Sequence, residues 1–161
     1  MGLGGVSFLG GVPRTEIARY YAAAHFILLP SRSEGWPKVL SEAMAYGAVP
    51  VAAAVSSIPQ ILRAAGAGVA IPVEDTDGMA AAITRWVADP AAWRAMSQAG
   101  VQAARWFTYS AYQEAVAGLF ADSWGIRLPL PAHRRVSPAL GVEQSATNET
   151  SASYSSNGTH R

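Results

Sequence analysis

The sequence predicts an α/β fold in which a doubly wound, parallel sheet is covered by helices. The first observation is that short apolar runs alternate with helical patterns between residues 6 and 124. This alternation is typical of βαβ units, whose strands run parallel. The second observation is the composition, since half of the 161 residues are hydrophobic and none is cysteine. Such a chain can build one sizeable core without disulfides.

Four short strands are predicted, each an apolar run bounded by turn residues. They cover residues 6–9, 25–29, 49–53 and 68–71. Because proline has no N–H to donate to a strand ladder, Pro50 indicates that the third strand lies at an edge of the sheet or that the proline starts it.

Helices are predicted between and after these strands. Each begins where a capping side chain or a first-turn proline stands, and the later ones carry apolar residues at helical spacing. The predicted starts are Pro13, Pro37, Ser57, Asp75, Asp89 and Thr108. The residues predicted to pack inward are Met79, Ile83, Trp86 and Val87 in the fourth helix, and Tyr112, Val116, Leu119 and Phe120 in the last.

Residues 30–47 carry the two carboxylates on which the functional prediction depends. A polar loop containing Glu34 follows the second strand, and Pro37 then takes the first position of a short helix that Gly47 ends. Glu42 lies roughly 7 to 8 Å along the helix axis from Pro37, at about 1.5 Å per residue. A rotation of about 100° per residue places Glu42 just outside the buried stripe, so we expect it at the edge.

The other residues of this helix divide between a buried stripe and the opposite side. The stripe predicted to face the core consists of Val39, Leu40, Ala43 and Met44, while Lys38 and Ser41 are predicted to lie farther round.

The start of this helix suits a ligand that has phosphates and many hydroxyl groups. Free N–H groups and the helix dipole attract anions there, and two carboxylates several ångströms apart accept hydrogen bonds. The alternative is that Lys38 and Glu42, four residues apart, form a surface ion pair and that Glu34 only complements the dipole. The spacing alone leaves both interpretations open.

Ser31 to Gly47 resembles the E-x7-E segment of retaining GT-B glycosyltransferases of the group 1 (GT4-like) family. Glu34 and Glu42 are separated by seven residues, within Pro-Ser-Arg-Ser-Glu-Gly and Glu-Ala-Met-Ala-Tyr-Gly, and a Val-Pro-Val-Ala strand follows. The resemblance runs from about Val6 to about Trp124.

The resemblance implies a Rossmann-like fold and a specific place in it. A GT-B enzyme has an N-terminal acceptor-binding domain and a C-terminal donor-binding domain. Residues 1–126 look like the later part of the donor-binding domain, so we expect an incomplete C-terminal domain. The first strand–helix units, whose Arg and Lys face the diphosphate in the family, have no counterpart in this sequence.

The resemblance also implies the roles of individual residues. Glu42 would hold the ribose hydroxyls of the nucleotide, and Glu34, the expected catalytic residue, would orient the transferred sugar or support positive charge at its anomeric carbon. The amides of Gly35 and Trp36 would meet sugar or phosphate oxygens. The remaining residues expected to line the donor site are Ser31, Arg32, Pro37 and Lys38.

One position departs from the family pattern. The turn that follows the third strand commonly reads Gly-Gly in the family, with Glu a few residues later, whereas this chain has Ser56, Ser57 and Gln60. Glycines would let backbone amides approach a ligand closely, so their replacement predicts looser contact with a nucleotide-sugar at this turn.

The predicted function is transfer of a sugar from a UDP- or GDP-linked donor to an acceptor with retention of anomeric configuration, without a protein-bound metal or cofactor. We expect this chain to be a truncated fragment, inactive alone because the acceptor domain is missing. One alternative is the donor-binding chain of a split enzyme whose partner chain supplies that domain. Another is a non-catalytic nucleotide-binding or interaction module, and a third is a GT-B-like sugar-nucleotide epimerase.

Composition bears on location and on other partners. A net charge of +1 argues against nucleic-acid binding. No apolar run is long enough to cross a bilayer and the signal-peptide pattern is absent, so we expect a cytoplasmic protein, with peripheral membrane contact left to a partner. Residues 127–161 are rich in polar residues and proline, and a disordered tail is predicted there.

Overall fold

A short parallel sheet positions the other elements of the chain. A computed structural model describes residues 4–130. In that range, three strands pair in parallel in the order β1-β2-β3, with Phe26 opposite Val49 and Val51 opposite Val69. The strands are β1 (Phe26–Leu29), β2 (Val49–Ala53) and β3 (Val69–Ile71). The predicted α/β class with a parallel sheet is confirmed.

Helices cover both faces of this sheet. On one face, α2 and α3 bury their apolar residues against the sheet, and on the other face α4 does so. Residues of α5 contribute to both cores. The helices are α1 (Arg14–Ala23), α2 (Lys38–Ala45), α3 (Ile58–Ala65), α4 (Thr76–Ala88), α5 (Pro90–Ala103) and α6 (Tyr109–Trp124), with a 3₁₀ helix at Ala104–Phe107.

The two cores differ in the residues that fill them. The α2 and α3 side is aliphatic, whereas the α4 side contains aromatic rings, with Phe26 stacked on Trp86 at 6.0 Å between ring centroids. The first core centres on Leu40, Met44, Ala52, Ile58 and Leu62, and the second on Val49, Val51, Ala53, Met79 and Trp86. Burial of a large side chain of this kind stabilises a fold by about 1.5–3 kcal/mol.

The predicted caps hold three helices at their starts. Asp75 accepts a hydrogen bond from the N–H of Gly78 at 2.8 Å, and Asp89 accepts one from Ala92 at 3.0 Å. Thr108 accepts one from Ala111 at 3.1 Å. Each bond satisfies one of the N–H groups that a helix start leaves unpaired.

Gly47 ends α2, as the sequence predicts. Its φ is +88°, its N–H donates to Met44 O at 2.9 Å, and the N–H of Ala48 donates to Ala43 O at 3.1 Å. This pair of bonds is the Schellman arrangement. Ser97 on α5 donates to the carbonyl of Gly47 at 2.7 Å, so the end of α2 is also fastened to the opposite helix.

The prediction of a strand at residues 6–9 is wrong. The segment has no regular structure, and Phe8 is 93% exposed. A strand needs a neighbour to pair its N–H and C=O groups. Within the described residues β1 pairs only with β2, and residues 6–9 join no sheet, so apolar sequence alone does not make a strand there.

The inference drawn from Pro50 is also wrong, because β2 is the central strand. The N–H of Val49 donates to His25 O at 2.9 Å, on the β1 side, whereas that of Ala54 donates to Ile71 O at 2.7 Å, on the β3 side. Since alternate residues of a strand direct their N–H groups to opposite sides, the nitrogen of Pro50 faces the β3 side. β3 begins at Val69, which lies opposite Val51, so Pro50 comes one residue before the paired part of the two strands. The proline therefore removes no hydrogen bond between β2 and β3.

Two side chains in the helices lie on the opposite side from the one predicted. Ser41 was expected away from the core, but it is only 9% exposed, and its hydroxyl donates to Lys38 O at 2.9 Å. That bond removes the cost of burying the hydroxyl. Val87 was expected in the core but is exposed, because it lines an open cavity at the amino end of β1.

The last helix packs less than its apolar stripe predicts. None of its residues is buried, and Tyr112 and Leu119 are exposed. Its main neighbour among the described elements is the 3₁₀ helix, which forms where α5 was expected to continue to Arg105. A single short neighbour cannot cover a 16-residue helix.

The predicted tail falls mostly outside the described residues. Residues 127–130 have no regular secondary structure, and residues 131–161 are not described. The boundary at residue 126 and the disorder beyond it stay predictions.

We predict that Gly68→Ala destabilises the fold much more than Gly66→Ala. Both glycines have positive φ, which costs a residue with a Cβ about 1–2 kcal/mol. A Cβ at Gly68 would also collide with the backbone oxygen and ring of Pro50, whereas one at Gly66 meets nothing within 4 Å. Urea unfolding should show a loss of about 2–5 kcal/mol for Gly68→Ala. Equal losses for the two variants would contradict the packing of Gly68 on β2.

Candidate functional site

Three loops meet at the carboxyl ends of the strands. They are residues 30–37 after β1, 54–57 after β2 and 72–75 after β3. The hydroxyl of Ser57 donates to Gly35 O at 3.2 Å, and the guanidinium of Arg32 lies 2.6 Å from the Glu74 carboxylate. The first two loops therefore lie together at the edge where ligands bind in open α/β sheets.

The start of α2 presents backbone N–H groups that no side chain caps. Pro37 is the N-cap residue of α2 and not its first helical residue as predicted, so the helix begins one residue later, at Lys38. The Pro37 carbonyl accepts a hydrogen bond from the N–H of Leu40 at 3.0 Å. Pro37 is buried, whereas Lys38 beside it is exposed. The unpaired N–H groups of the first turn retain their attraction for anions.

Trp36 connects the loop before α2 to the 3₁₀ helix that follows α5. Its indole stacks on Phe107 with 4.5 Å between ring centroids and 16° between planes. Its Nε1 is buried and has no acceptor among the described residues. The sequence predicted a role for the backbone amide of Trp36, and the structure adds this packing role for its side chain. Phe107 is 71 residues away in sequence, too far for local patterns to reveal the pair.

Glu34 stands in this loop with its side chain partly exposed. It makes no ion pair or hydrogen bond with another described residue. Gly35 beside it is exposed, and a Cβ there would meet nothing within 4 Å. Ser31 is partly exposed in the same loop, and Arg32 is held on its surface by Glu74.

Glu42 points from the edge of α2 towards α1, where Tyr21 meets it. The Tyr21 hydroxyl donates to Oε2 of Glu42 at 3.3 Å. Burial raises the pKa of the Tyr21 hydroxyl, and the charge of Glu42 and this hydrogen bond raise it further. In the described part of the chain no ion pair joins Lys38 to Glu42, so the alternative interpretation as a surface pair is not supported.

A cavity of about 570 Å³ lies between α1 and α2, with Glu42 in its wall. The other walls are aliphatic and aromatic, with one cation, and the Tyr21 and Tyr46 rings lie 6.1 Å apart. The lining residues are Val12, Arg14, Ile17, Ala18, Tyr21, Glu42, Ala45 and Tyr46.

The predicted site residues thus lie in two separate regions of the structure. Ser31, Arg32, Glu34, Gly35, Trp36, Pro37 and Lys38 form the loop and the first turn of α2, and none of them lines the cavity that contains Glu42. The sequence patterns do not identify Tyr21 and Ser57 as site residues. Ser57 was predicted only as the start of a helix, and it makes no side-chain cap bond. Their partners are 21 and 22 residues away.

A second cavity of about 570 Å³ opens at the amino end of β1. Aromatic and aliphatic residues line most of it, among them Phe26, Trp86 and Trp93. The indole of Trp93 donates to His25 O at 3.0 Å, and the His25 ring lies 5.3 Å from it. This cavity is at the opposite end of β1 from the loop that carries Glu34.

The described residues contain neither a cluster of metal ligands nor a membrane-spanning helix. Within residues 4–130, no group of three or more His, Asp or Glu side chains is arranged to hold a metal ion. The helices of that range include none with the length and apolar character needed to span a membrane.

The chain matches known proteins in its sequence and its fold. The family model "Glycosyl transferases group 1" matches residues 2–103. D-inositol 3-phosphate glycosyltransferase 1 of Catenulispora acidiphila is 37% identical over 109 residues, which cover 68% of this chain and 25% of that protein. The corresponding enzyme of Corynebacterium aurimucosum is 29% identical over 124 residues, covering 77% of this chain and 30% of the relative.

A solved structure supports the same relationship. Sucrose-phosphate synthase from Thermosynechococcus elongatus superimposes with a TM-score of 0.64 and 29% sequence identity, over 74% of this chain and 30% of that chain. The chain thus spans 30% or less of each of these three relatives. Since the family model covers residues 2–103 of the 161, the chain belongs to the group 1 glycosyltransferases.

Proposed function

We propose that the chain provides the nucleotide-sugar-binding surface of a glycosyltransferase that transfers a sugar with retention of configuration. The observation that carries the proposal is the placement of Glu42 in the wall of the cavity between α1 and α2. A volume of about 570 Å³ is within the usual range of small-molecule sites, about 300–1,000 Å³. A carboxylate beside aliphatic and aromatic side chains suits a nucleoside, which has a flat aromatic base and hydroxyl groups.

The proposed role of Glu42 is to accept hydrogen bonds from the ribose hydroxyls. Each such bond to a charged group contributes about 1.5–3 kcal/mol. The aliphatic wall formed by Ile17, Ala18 and Ala45 and the nearby tyrosine rings would contact the base. Arg14 adds a cation at the same cavity.

The proposed role of the loop and the first turn of α2 is to bind the diphosphate and the sugar. The amides of Gly35 and Trp36 and the unpaired N–H groups of α2 face this ligand, aided by the helix dipole at about 0.3–1 kcal/mol. Glu34, which has no partner among the described residues, would orient the sugar or support positive charge at its anomeric carbon. In the proposed reaction the bond between the anomeric carbon and the diphosphate oxygen breaks, and the nucleoside diphosphate leaves. The acceptor hydroxyl bonds to the same face of that carbon, and its proton passes to the leaving diphosphate.

The acceptor-binding surface is proposed to lie in polypeptide outside this sequence, in the same protein or in a partner chain. The relatives are more than three times as long as the matched part of this chain. Each preorganised group that stabilises developing charge is worth about 10² to 10³ in rate. We therefore expect nucleotide binding without turnover from the 161 residues alone. The cytoplasmic location also stays a prediction.

Glu42→Ala should weaken nucleotide binding. We expect at least a tenfold loss of affinity for whichever of UDP and GDP the chain binds, because hydrogen bonds to a charged acceptor disappear. Amide chemical shifts in an NMR titration measure weak binding directly. The control is Glu16→Ala on α1, whose carboxylate pairs with Arg19 outside the cavity.

Absence of binding to both nucleotides, or equal affinity in wild type and Glu42→Ala, would contradict the proposed site. The Glu16→Ala control should stay within about twofold of wild type, because a surface ion pair contributes little.

Glu34→Ala should separate sugar recognition from nucleotide recognition. Because Glu34 lies in the loop and does not line the cavity, its loss should leave affinity for the free nucleoside diphosphate within about twofold. The extra affinity that wild type shows for a hexose-linked nucleotide should disappear, as measured by the same titration. A loss of diphosphate affinity as large as that of Glu42→Ala would refute the assignment of Glu34 to the sugar.

A further inference from the structure

We propose that Tyr21 is a positioning residue for nucleotide binding, whose hydroxyl holds the Glu42 carboxylate in the orientation that receives the ribose. The inference rests on the proposed function and extends it to a residue of α1 that neither the segment 30–47 nor the sequence pattern includes. It concerns specificity for ribose hydroxyls, which is a property separable from binding of the diphosphate.

Without the contact with Tyr21, the Glu42 side chain would be mobile. The side chain is exposed at the edge of α2, and fixing a Glu side chain costs up to about 2 kcal/mol of conformational entropy. Among the described residues, the Tyr21 hydroxyl is the one hydrogen-bond donor that reaches it. A carboxylate that is already oriented before the ligand arrives loses less entropy on binding.

The contact with Tyr21 leaves the Glu42 carboxylate able to accept hydrogen bonds from a ligand. An ionised carboxylate offers about four lone-pair sites. The hydroxyl of Tyr21 approaches Oε2 at 3.3 Å, so Oε1 is free for hydroxyl groups of a ligand in the cavity. This distance is longer than the usual 2.5–3.0 Å for an O–H···O bond, and such contacts often shorten once the ligand is bound.

Tyr21 belongs to α1 and also packs against α2. Its ring lies 6.1 Å from that of Tyr46, the C-cap residue of α2. Both rings line the same cavity as Glu42. A tyrosine hydroxyl is protonated at neutral pH and so is a donor there, and burial and the charge of Glu42 raise the pKa of Tyr21 further. The contact of the Tyr21 ring with Tyr46 therefore favours the orientation in which its hydroxyl meets Glu42.

Substitution by phenylalanine separates this role from simple packing of α1 on α2. Tyr21→Phe keeps the ring and removes only the hydroxyl. Tyr20→Phe is a matched control, because it makes the same chemical change one residue away. The Tyr20 hydroxyl accepts from Arg19 at 3.0 Å, and Tyr20 does not line the cavity.

The test compares two probes by NMR titration, using the 161-residue chain. One is the nucleoside diphosphate that binds more tightly of UDP and GDP, and the other is its analogue without the 2′- and 3′-hydroxyls. Tyr21→Phe should weaken binding of the natural nucleotide roughly two- to tenfold and leave that of the analogue unchanged. Tyr20→Phe should change neither. In a Glu42→Ala background, Tyr21→Phe should have no further effect, because its partner is gone.

The outcomes distinguish this inference from the function on which it rests. If Glu42→Ala weakens binding but Tyr21→Phe does not, the nucleotide site stands and the role of Tyr21 is refuted. Equal weakening of both probes by Tyr21→Phe would mean that the hydroxyl only supports packing, which also refutes it. If Glu42→Ala has no effect, the proposed function itself fails.

Discussion

Parallel pairing of β1, β2 and β3 is the constraint on which the candidate site depends. Because parallel strands all end at the same edge, the loops that follow them meet there. The central strand is buried along its whole length, and Gly68 fits against Pro50 at the point where β3 is about to begin. Two polar links across the loops, from Ser57 to Gly35 and from Arg32 to Glu74, then hold the segment before α2 in place.

Helix α2 buries one side in the core and presents the other to the proposed ligand site. Leu40 and Met44 are completely buried in the core, and Gly47, with its positive φ, ends the helix. Glu42 is on the exposed edge and meets α1 instead of the strand loops. A ligand that spans the loop and the cavity would therefore be held at two points of one short helix, which suits an elongated molecule such as a nucleotide-sugar.

Local sequence signals predicted much of this arrangement. Capping residues such as Asp75 and Thr108 act over a few positions, and rotation along a single helix placed Glu42 at the edge, so these predictions were correct. Contacts between distant segments were not predictable. The strand expected at residues 6–9 has no partner among residues 4–130, and the buried side of Ser41 depends on which elements surround α2. The contact of Tyr21 with Glu42 joins two helices.

The position of a bound nucleotide on the chain decides whether the α1–α2 cavity is its binding site. Assigned amide shifts of the wild-type chain, followed during titration with UDP and with GDP, report which residues the ligand reaches. We expect the largest changes around the α1–α2 cavity, near Tyr21, Glu42 and Tyr46, together with Gly35 and Trp36. Changes confined to the aromatic cavity at the amino end of β1, near Phe26 and Trp93, would contradict this assignment.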